Sequence, residues 1–409
     1  MSIRWVQVSR VSLQRAGVIL AVVTAASESR RTTIEALSRS YSQLLRTEVV
    51  VSPEQANNVA EYLRRMRLWQ RYPELHEGSP AAASGARVEV QDLWLADPRV
   101  PSASGAITER VLDEPVQLAL ALRLLRPGSH TLTARGTCLR VAAGEQSRSI
   151  HSASVNPNPM VIPLGAGLLM LHAFLDADYD FLRATYDVAL DLGKTFSRPE
   201  ISRRMGDVCR AVHEQFRGHV RTGEDRQRLT RLAELAESID SAGKAVTWGG
   251  ARPPDQTSTL RLEPLVDLGV LTRSSRFEYA YTMTAEQRQL FEEITTEQDG
   301  GAWLSEHLVH SYLTARSLHL PRIDPSDAWV SIRHAWEKLR SPMGYASIDE
   351  ALLLAIAELV DSRTGFFELA SGRQALRDLQ RQQPHAVRFT MARGGALSYF
   401  RLAETGILS

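Results

Sequence analysis

Apolar residues recur along most of this chain at the three- and four-residue spacing of amphipathic helices, and only short stretches alternate every second residue as a strand does. Two helices are expected between residues 31 and 71. The second opens on Ser52-Pro53-Glu54-Gln55, which offers an N-cap, a proline at the first helical position and a capping-box partner. Val59, Leu63 and Met66 then share a stripe, with Arg64, Arg65, Arg67 and Arg71 mostly off it. After a linker over 73–86, a helix is predicted over about 107–125, stopped by Arg126-Pro127-Gly128. Thr133 is placed to cap a short helix from Ala134, and 144–163 read as a second linker rich in Ser, Asn and Pro.

Farther along, helices are predicted over 166–192 (interrupted near 176–180), 199–217, 226–242 and 260–268. A strand follows in which Phe277, Tyr279, Tyr281 and Met283 alternate with Glu278, Ala280 and Thr282, and Thr284-Ala285-Glu286-Gln287 is a capping box for the next helix. The last third gives helices near 326–340, 347–361 and 372–382. There Val387, Phe389 and Met391 alternate, Gly394-Gly395 turns the chain, and Leu397, Tyr399 and Arg401 return. The expected fold class is mainly α with small β-hairpins, an α+β chain. At 409 residues it exceeds one ordinary domain. Its linkers suggest an N-terminal helical region over 1–75, modules over 87–143 and 226–300, a helical linker domain over 164–225 and a C-terminal module over 301–409.

Composition changes this picture little. Hydrophobic residues at 44% and charged residues at 23% are those of a folded globular chain, and a net charge of +1 provides no global field toward nucleic acid or membrane. Only Lys194, Lys244 and Lys338 are lysines, so arginine carries nearly all the positive charge, as in proteins of GC-rich bacterial genomes. Cys138 and Cys209 lie far apart with no metal-ligand spacing and read as small core residues. Arg4, Arg10 and Arg15 precede the apolar run 17–26, which loosely imitates a secretory signal. That run is too short to span a bilayer, and a buried strand or helix in a cytoplasmic protein is the preferred reading, with no membrane partner.

Two stretches share one pattern of an apolar helix end, a short strand, a turn, a second strand and a capping threonine. They are Leu124-Leu125-Arg126 … Thr131-Leu132-Thr133-Ala134 and Val270-Leu271-Thr272-Arg273 … Tyr281-Thr282-Met283-Thr284-Ala285. The pattern resembles the recognition-helix-to-wing segment of winged helix-turn-helix domains. Leu268-Gly269-Val270-Leu271 matches it closely, whereas Leu122-Arg123-Leu124-Leu125 lacks the glycine. The resemblance covers about half the chain in pieces and implies tandem winged-helix modules joined by helical segments, with the helix, helix, helix, hairpin order of residues 326–401 as a third copy.

Charge distinguishes the modules. Glu109, Asp113 and Glu114 offset Arg110 and Arg123 in the first; Glu263 and Asp267 balance Arg261 in the second, where Pro264 would kink the helix. In the third, Arg373, Arg377 and Arg381 fall at i, i+4 and i+8 on one helix face, opposite Leu376 and Leu379, and the hairpin adds Arg388, Arg393 and Arg401. From Arg363 to Arg401 seven arginines face only Glu368 and Asp378, a local net of +5. Arg373, Arg377, Arg381, Arg388 and Arg393 are therefore the expected DNA contacts, with a helix for the major groove and a hairpin for the backbone. An arginine stripe is also what a solvated face looks like, and the first two modules are expected to pack within the chain or on a partner.

Other constellations are weak. Glu306, His307 and His310 need a further ligand to hold metal; Asp176, Asp178 and Asp180 lack the glycine and distal glutamate of a calcium loop. Gly193-Lys194-Thr195 and Gly243-Lys244 lack the upstream glycine of a phosphate loop, and Glu337-Lys338 lies in a helix. Trp248, Trp303, Trp329 and Trp336 read as core or interface anchors. No catalytic, metal or cofactor residue is assigned. The expected function is a non-enzymatic DNA-binding and scaffolding subunit of a bacterial multi-protein complex, in phage defence or a mobile element, with protein partner subunits. The alternatives are a transcriptional regulator with dimerisation or ligand-sensing modules, and an unrecognised nuclease or hydrolase.

Overall fold

The computed structural model describes residues 4, 6, 16–65, 71–72, 80–96, 113–144, 162–220, 222–244, 254–273, 280–391 and 397–403. Among them the chain is mostly helical, with small antiparallel sheets of two or three strands. It divides into two compact units: a larger one of Ala16–Met170 with Leu320–Ser409, and a smaller one of Met1–Arg15 with Leu171–His319.

The larger unit begins with α1 (Ala16–Ala25), the apolar run, whose Val18, Ile19, Leu20, Val22 and Val23 are all buried. Thr33 caps α2 (Ile34–Leu45), its side chain accepting from the Ala36 amide. Next come β1 (Glu48–Val50), α3 (Ala56–Arg65), α4 (Pro80–Ala83), β2 (Arg87–Glu89), α5 (Val90–Ala96), α6 (Asp113–Ala121) and α7 (Ala134–Ala142). α1 packs against α2, α6 and α7. Strands β1 and β2, which the apolar pattern did not announce, pair antiparallel with Val49 opposite Val88.

That pairing also moves the expected helix start. The Val51 amide donates to Ala86 O (2.8 Å) and the Gly85 amide to Val51 O (2.9 Å), which ties the backbone to the ladder up to Val51; a turn over 52–55 follows, and α3 begins at Ala56. Gln55 still accepts from the Ser52 amide and hydroxyl (3.4 and 3.2 Å), but as part of a turn.

The helix expected to reach residue 125 ends at Ala121, and its part over 107–112 lies outside the described residues. Arg123 adopts φ 58°, and the Leu124 amide bonds back to Ala119 O at 2.9 Å. This left-handed C-terminal closure favours glycine. The same closure ends the later helix over Pro254–Asp267, where Gly269 has φ 70° and the Val270 amide reaches Leu265 O at 3.0 Å. The two copies therefore share a backbone although only one has the glycine. A single bridge, Leu125 to Leu132, stands in for the expected strand pair, and Thr133 caps α7 as expected, accepting from the Gly136 amide at 3.0 Å.

α8 (Leu164–Leu192) contributes residues to both units and is interrupted at Asp178 (φ −130°, ψ 20°). The smaller unit continues through β3 (Thr195–Ser197), α9 (Arg198–Arg203), α10 (Met205–Phe216), α11 (Gly223–Lys244), α12 (Pro254–Asp267), β4 (Thr272–Arg273), β5 (Ala280–Thr282), α13 (Ala285–Thr296), α14 (Gly300–Glu306) and α15 (Leu308–Ala315). The helix expected over 199–217 is broken at Arg204 into α9, opened by a Ser197–Glu200 capping box, and α10. Its three-stranded sheet has the order β3-β5-β4, with Phe196 opposite Tyr281 and the two rings 5.6 Å apart. Thr284 and Gln287 form the expected capping box of α13.

Back in the larger unit, a 3-10 turn (Pro325–Ala328) leads to α16 (Trp329–Leu339), β6 (Ala346–Ser347), α17 (Ile348–Asp361), α18 (Leu369–Gln382), β7 (Val387–Met391) and β8 (Leu397–Leu402). The sheet order is β6-β8-β7, all antiparallel. α17 is the buried centre of this part, packed by α7, α16 and α18. Gly372 lets α18 approach it, since a Cβ there would stand 2.8 Å from Phe367 and 3.0 Å from Leu352.

Candidate nucleic-acid interface

On α18 the apolar positions Leu369, Leu376 and Leu379 face inward, so Arg373, Gln374, Arg377 and Arg381 lie on the other side of the helix. Successive four-residue steps turn about 40° around the axis, which spreads the three guanidinium groups over one flank. The structure separates them electrostatically. Arg373 Nε lies 2.7 Å from Asp349 Oδ1 at the start of α17, and Arg381 lies 3.1 Å from Asp378 Oδ1, which also accepts from Gln374 at 2.9 Å. Among the described residues Arg377 and Arg388 carry no ion pair, and both are exposed. Arg388 on β7 stands directly opposite Arg401 on β8, and Thr390 opposite the exposed Tyr399. Arg393 lies outside the described residues.

The count of seven arginines against two acids thus overstates the free charge of this face. Asp349, far away in sequence, neutralises part of it, while Glu368, one of the two acids counted, is buried at the head of α18. Exposed pairs of this kind hold by at most about 1 kcal/mol, so a phosphate can displace the carboxylate, but the nearby acid still weakens the attraction. Among the described residues of α18 and β7, Arg377 and Arg388 are exposed arginines with no ion pair. Asp349 gave no signal in the sequence, because nothing local links position 349 to position 373.

The charge balance expected in the second module is corrected. Arg261 is fully buried, and its partner is Asp178: NH2 donates to Oδ1 at 3.0 Å, Nε stands 2.9 Å from Oδ2, and the guanidinium lies 4.0 Å from the Phe181 ring centroid. Glu263 instead pairs with Arg273 and accepts from the Tyr281 hydroxyl at 2.5 Å. α12 therefore turns its arginine inward.

The Asp176, Asp178 and Asp180 run is not a surface loop but the polar filling of the α8 interruption. Asp178 Oδ1 accepts from the Val6 amide and Asp180 Oδ2 from the Arg4 amide, each at 2.7 Å. Burial pushes the Asp178 carboxyl up to about 6 against the opposing pull of Arg261 and the Val6 amide. An unfolded chain releases this proton near pH 4, while the folded one holds it to about 6. Stability contributed by this group is thus full below pH 4 and declines as pH rises through 4–6. Asp178→Asn is expected to remove that slope, read as the pH dependence of the denaturant midpoint relative to the parent.

Glu306, His307 and His310 are exposed, and among the described residues no group of three or more His, Cys, Asp or Glu is placed to hold a metal. Gly193 (φ 102°) turns the chain into β3, and Lys194 O accepts from the Met283 amide (2.9 Å), extending the sheet. Glu337 and Lys338 engage Arg333 and Glu358. Trp303 and Trp336 are buried, Trp336 donating to Gly344 O at 3.1 Å, and both cysteines are buried thiols; Trp248 lies outside the described residues. Among the described residues no helix is long and apolar enough to cross a membrane. Comparison with protein-family models, curated proteins and solved structures finds no match for this chain.

Proposed function

We propose that this chain is a DNA-binding protein whose C-terminal part, from α16 to β8, is a winged-helix module, with α18 as the groove-reading helix and the β7–β8 hairpin as the wing. The observation that carries the reading is that α18 exposes Arg377 and the hairpin exposes Arg388, each without an ion pair among the described residues. Its support is topological as well: helix, strand, helix, helix, strand, strand, with the first strand beside the last in the order β6-β8-β7. The smaller unit has the same β3-β5-β4 order with α9 to α12 between its first two strands, which favours a tandem arrangement. Its α12 buries Arg261, so that copy is better suited to packing than to reading DNA.

Arg377→Glu with Arg388→Glu is the variant that tests this, because neither arginine has a folded-state ion pair to lose among the described residues. Each phosphate contact removed should flatten the dependence of log K on log salt by about 0.9, so the double change should flatten it by about 2. Affinity for a duplex at 0.1 M salt should fall by about tenfold or more. Unchanged binding, read by fluorescence anisotropy on a protein with unaltered circular dichroism, would sink the reading.

A further inference from the structure

The larger unit carries a second basic surface that the charge pattern along the chain conceals. Residues 27–32, between α1 and α2, run beside the turn at 126–132, about a hundred positions later in sequence. The Leu132 amide donates to Ser27 O and the Thr32 amide to Ser129 O, both at 3.0 Å. His130 Nδ1 donates to Thr32 O at 2.7 Å, and Arg31 Nε to Gly128 O at 3.2 Å. The turn is itself braced by the Arg126 amide on Thr131 O (2.8 Å) and by Gly128 at φ 73°.

These bonds set the segment that carries Arg30 and Arg31 beside the turn that carries Arg126, with Arg123 just before it, and all four arginines are exposed. Of the acids on these segments, Glu28 is taken by Arg140, and Glu35, in the first turn of α2, is held by Thr33 and its own backbone within electrostatic reach of His130. Among the described residues neither Arg30 nor Arg126 has an ion pair. Arg31 donates its Nε to a carbonyl, which holds the guanidinium in place and leaves its two terminal nitrogens as the fork that suits a phosphate. Arginines carried on adjoining exposed segments raise the local positive potential, and an external polyanion is drawn to it. The tip at Pro127 and Gly128 is exposed, so the surface projects rather than encloses. That shape fits an extended phosphate backbone better than a single small anion.

We infer that the turn at 126–131, together with Arg30 and Arg31, is a contact surface for the phosphate backbone of duplex DNA, separate from the α18 and β7–β8 face. It does not depend on that face, and either can fail alone. The test is anisotropy on a labelled duplex of arbitrary sequence, with the full chain, from 50 mM to about 0.3 M salt. Arg30→Glu with Arg126→Glu is expected to flatten the log K against log salt slope by about 2 and to lower affinity by about tenfold, with melting unchanged. Arg30→Gln with Arg126→Gln should show the same direction at smaller size and serves if the charge reversals disturb folding. An unaltered slope and affinity in both variants, on a wild type that binds, overturns the proposal while leaving the C-terminal reading intact. Loss in these variants with no effect of Arg377→Glu and Arg388→Glu supports it and overturns the other. A wild type that ignores duplex at 50 mM salt overturns both.

Discussion

Arg261→Met is expected to cost the smaller unit about 3–5 kcal/mol, because it strips the partner from a carboxylate that has no other route to solvent. Asp178 and Arg261 are each only 2% exposed at the side chain, and the ion pair between them, with one hydrogen bond from NH2, sits beside the Phe181 ring. Methionine keeps most of the stem's packing, so the loss reports the orphaned charge rather than a cavity. Adding Asp178→Asn should recover much of it, since an asparagine carbonyl still accepts from the Val6 amide while the buried charge is gone. Denaturant melts of the parent, both single variants and the double variant give the coupling directly. Equal losses that simply add would mean the pair contributes nothing beyond its packing.

Gly136→Ala should be strongly destabilising, against what helix propensity alone foresees. Alanine in place of glycine ordinarily stabilises a helix by about 1 kcal/mol. Here an added Cβ would stand 2.1 Å from Leu124 O, a backbone atom, and 3.0 Å from Leu132. Leu124 cannot give way easily. Its carbonyl is held by the Thr133 amide (3.0 Å) and hydroxyl (3.1 Å), and its amide by Ala119 O (2.9 Å). Overpacking of this kind costs about 1–3 kcal/mol and more where backbone must move. Gly223→Ala is the matched control: it lies in α11 with nothing within 4 Å of the added Cβ, and should be neutral or slightly stabilising. A thermal melt of each decides the sign, and a stabilised Gly136→Ala protein would show that the α6–α7 junction is looser than drawn.

Much of this fold was legible from local rules. The capping threonines at 133 and 284, the break of α8 at Asp178, the inward Leu376 and Leu379 and the final hairpin all follow from interactions within a few residues. Two details differ from the local signal. Ser52-Pro53-Glu54-Gln55 folds as the turn that leads into the helix, the Gln55 amide reaching Ser52 O at 3.0 Å, and regular helix follows only from Ala56. Arg123 lacks the hydrogen side chain that usually marks a left-handed closure, yet it adopts one where Gly269 does. The helix termini of the first copy are bound on both sides, which offsets the roughly 1–2 kcal/mol such a backbone costs an L-residue.

The candidate surfaces divide differently. By itself the sequence determined most of the helices and the final hairpin, which of their faces are apolar, and that arginines line one flank of residues 373–381. Only the tertiary structure decided which of those arginines keep their charge for a partner. Asp349 reaches Arg373 across the α17–α18 packing, Asp178 takes Arg261 into the core, and a turn brings Arg126 beside Arg30. Secondary structure is set by neighbours within a few positions, and those leave a mark in the local pattern. Electrostatic partnership depends on distance in space, and an amino-acid order with no net charge bias leaves no trace of which charges the fold will bring together.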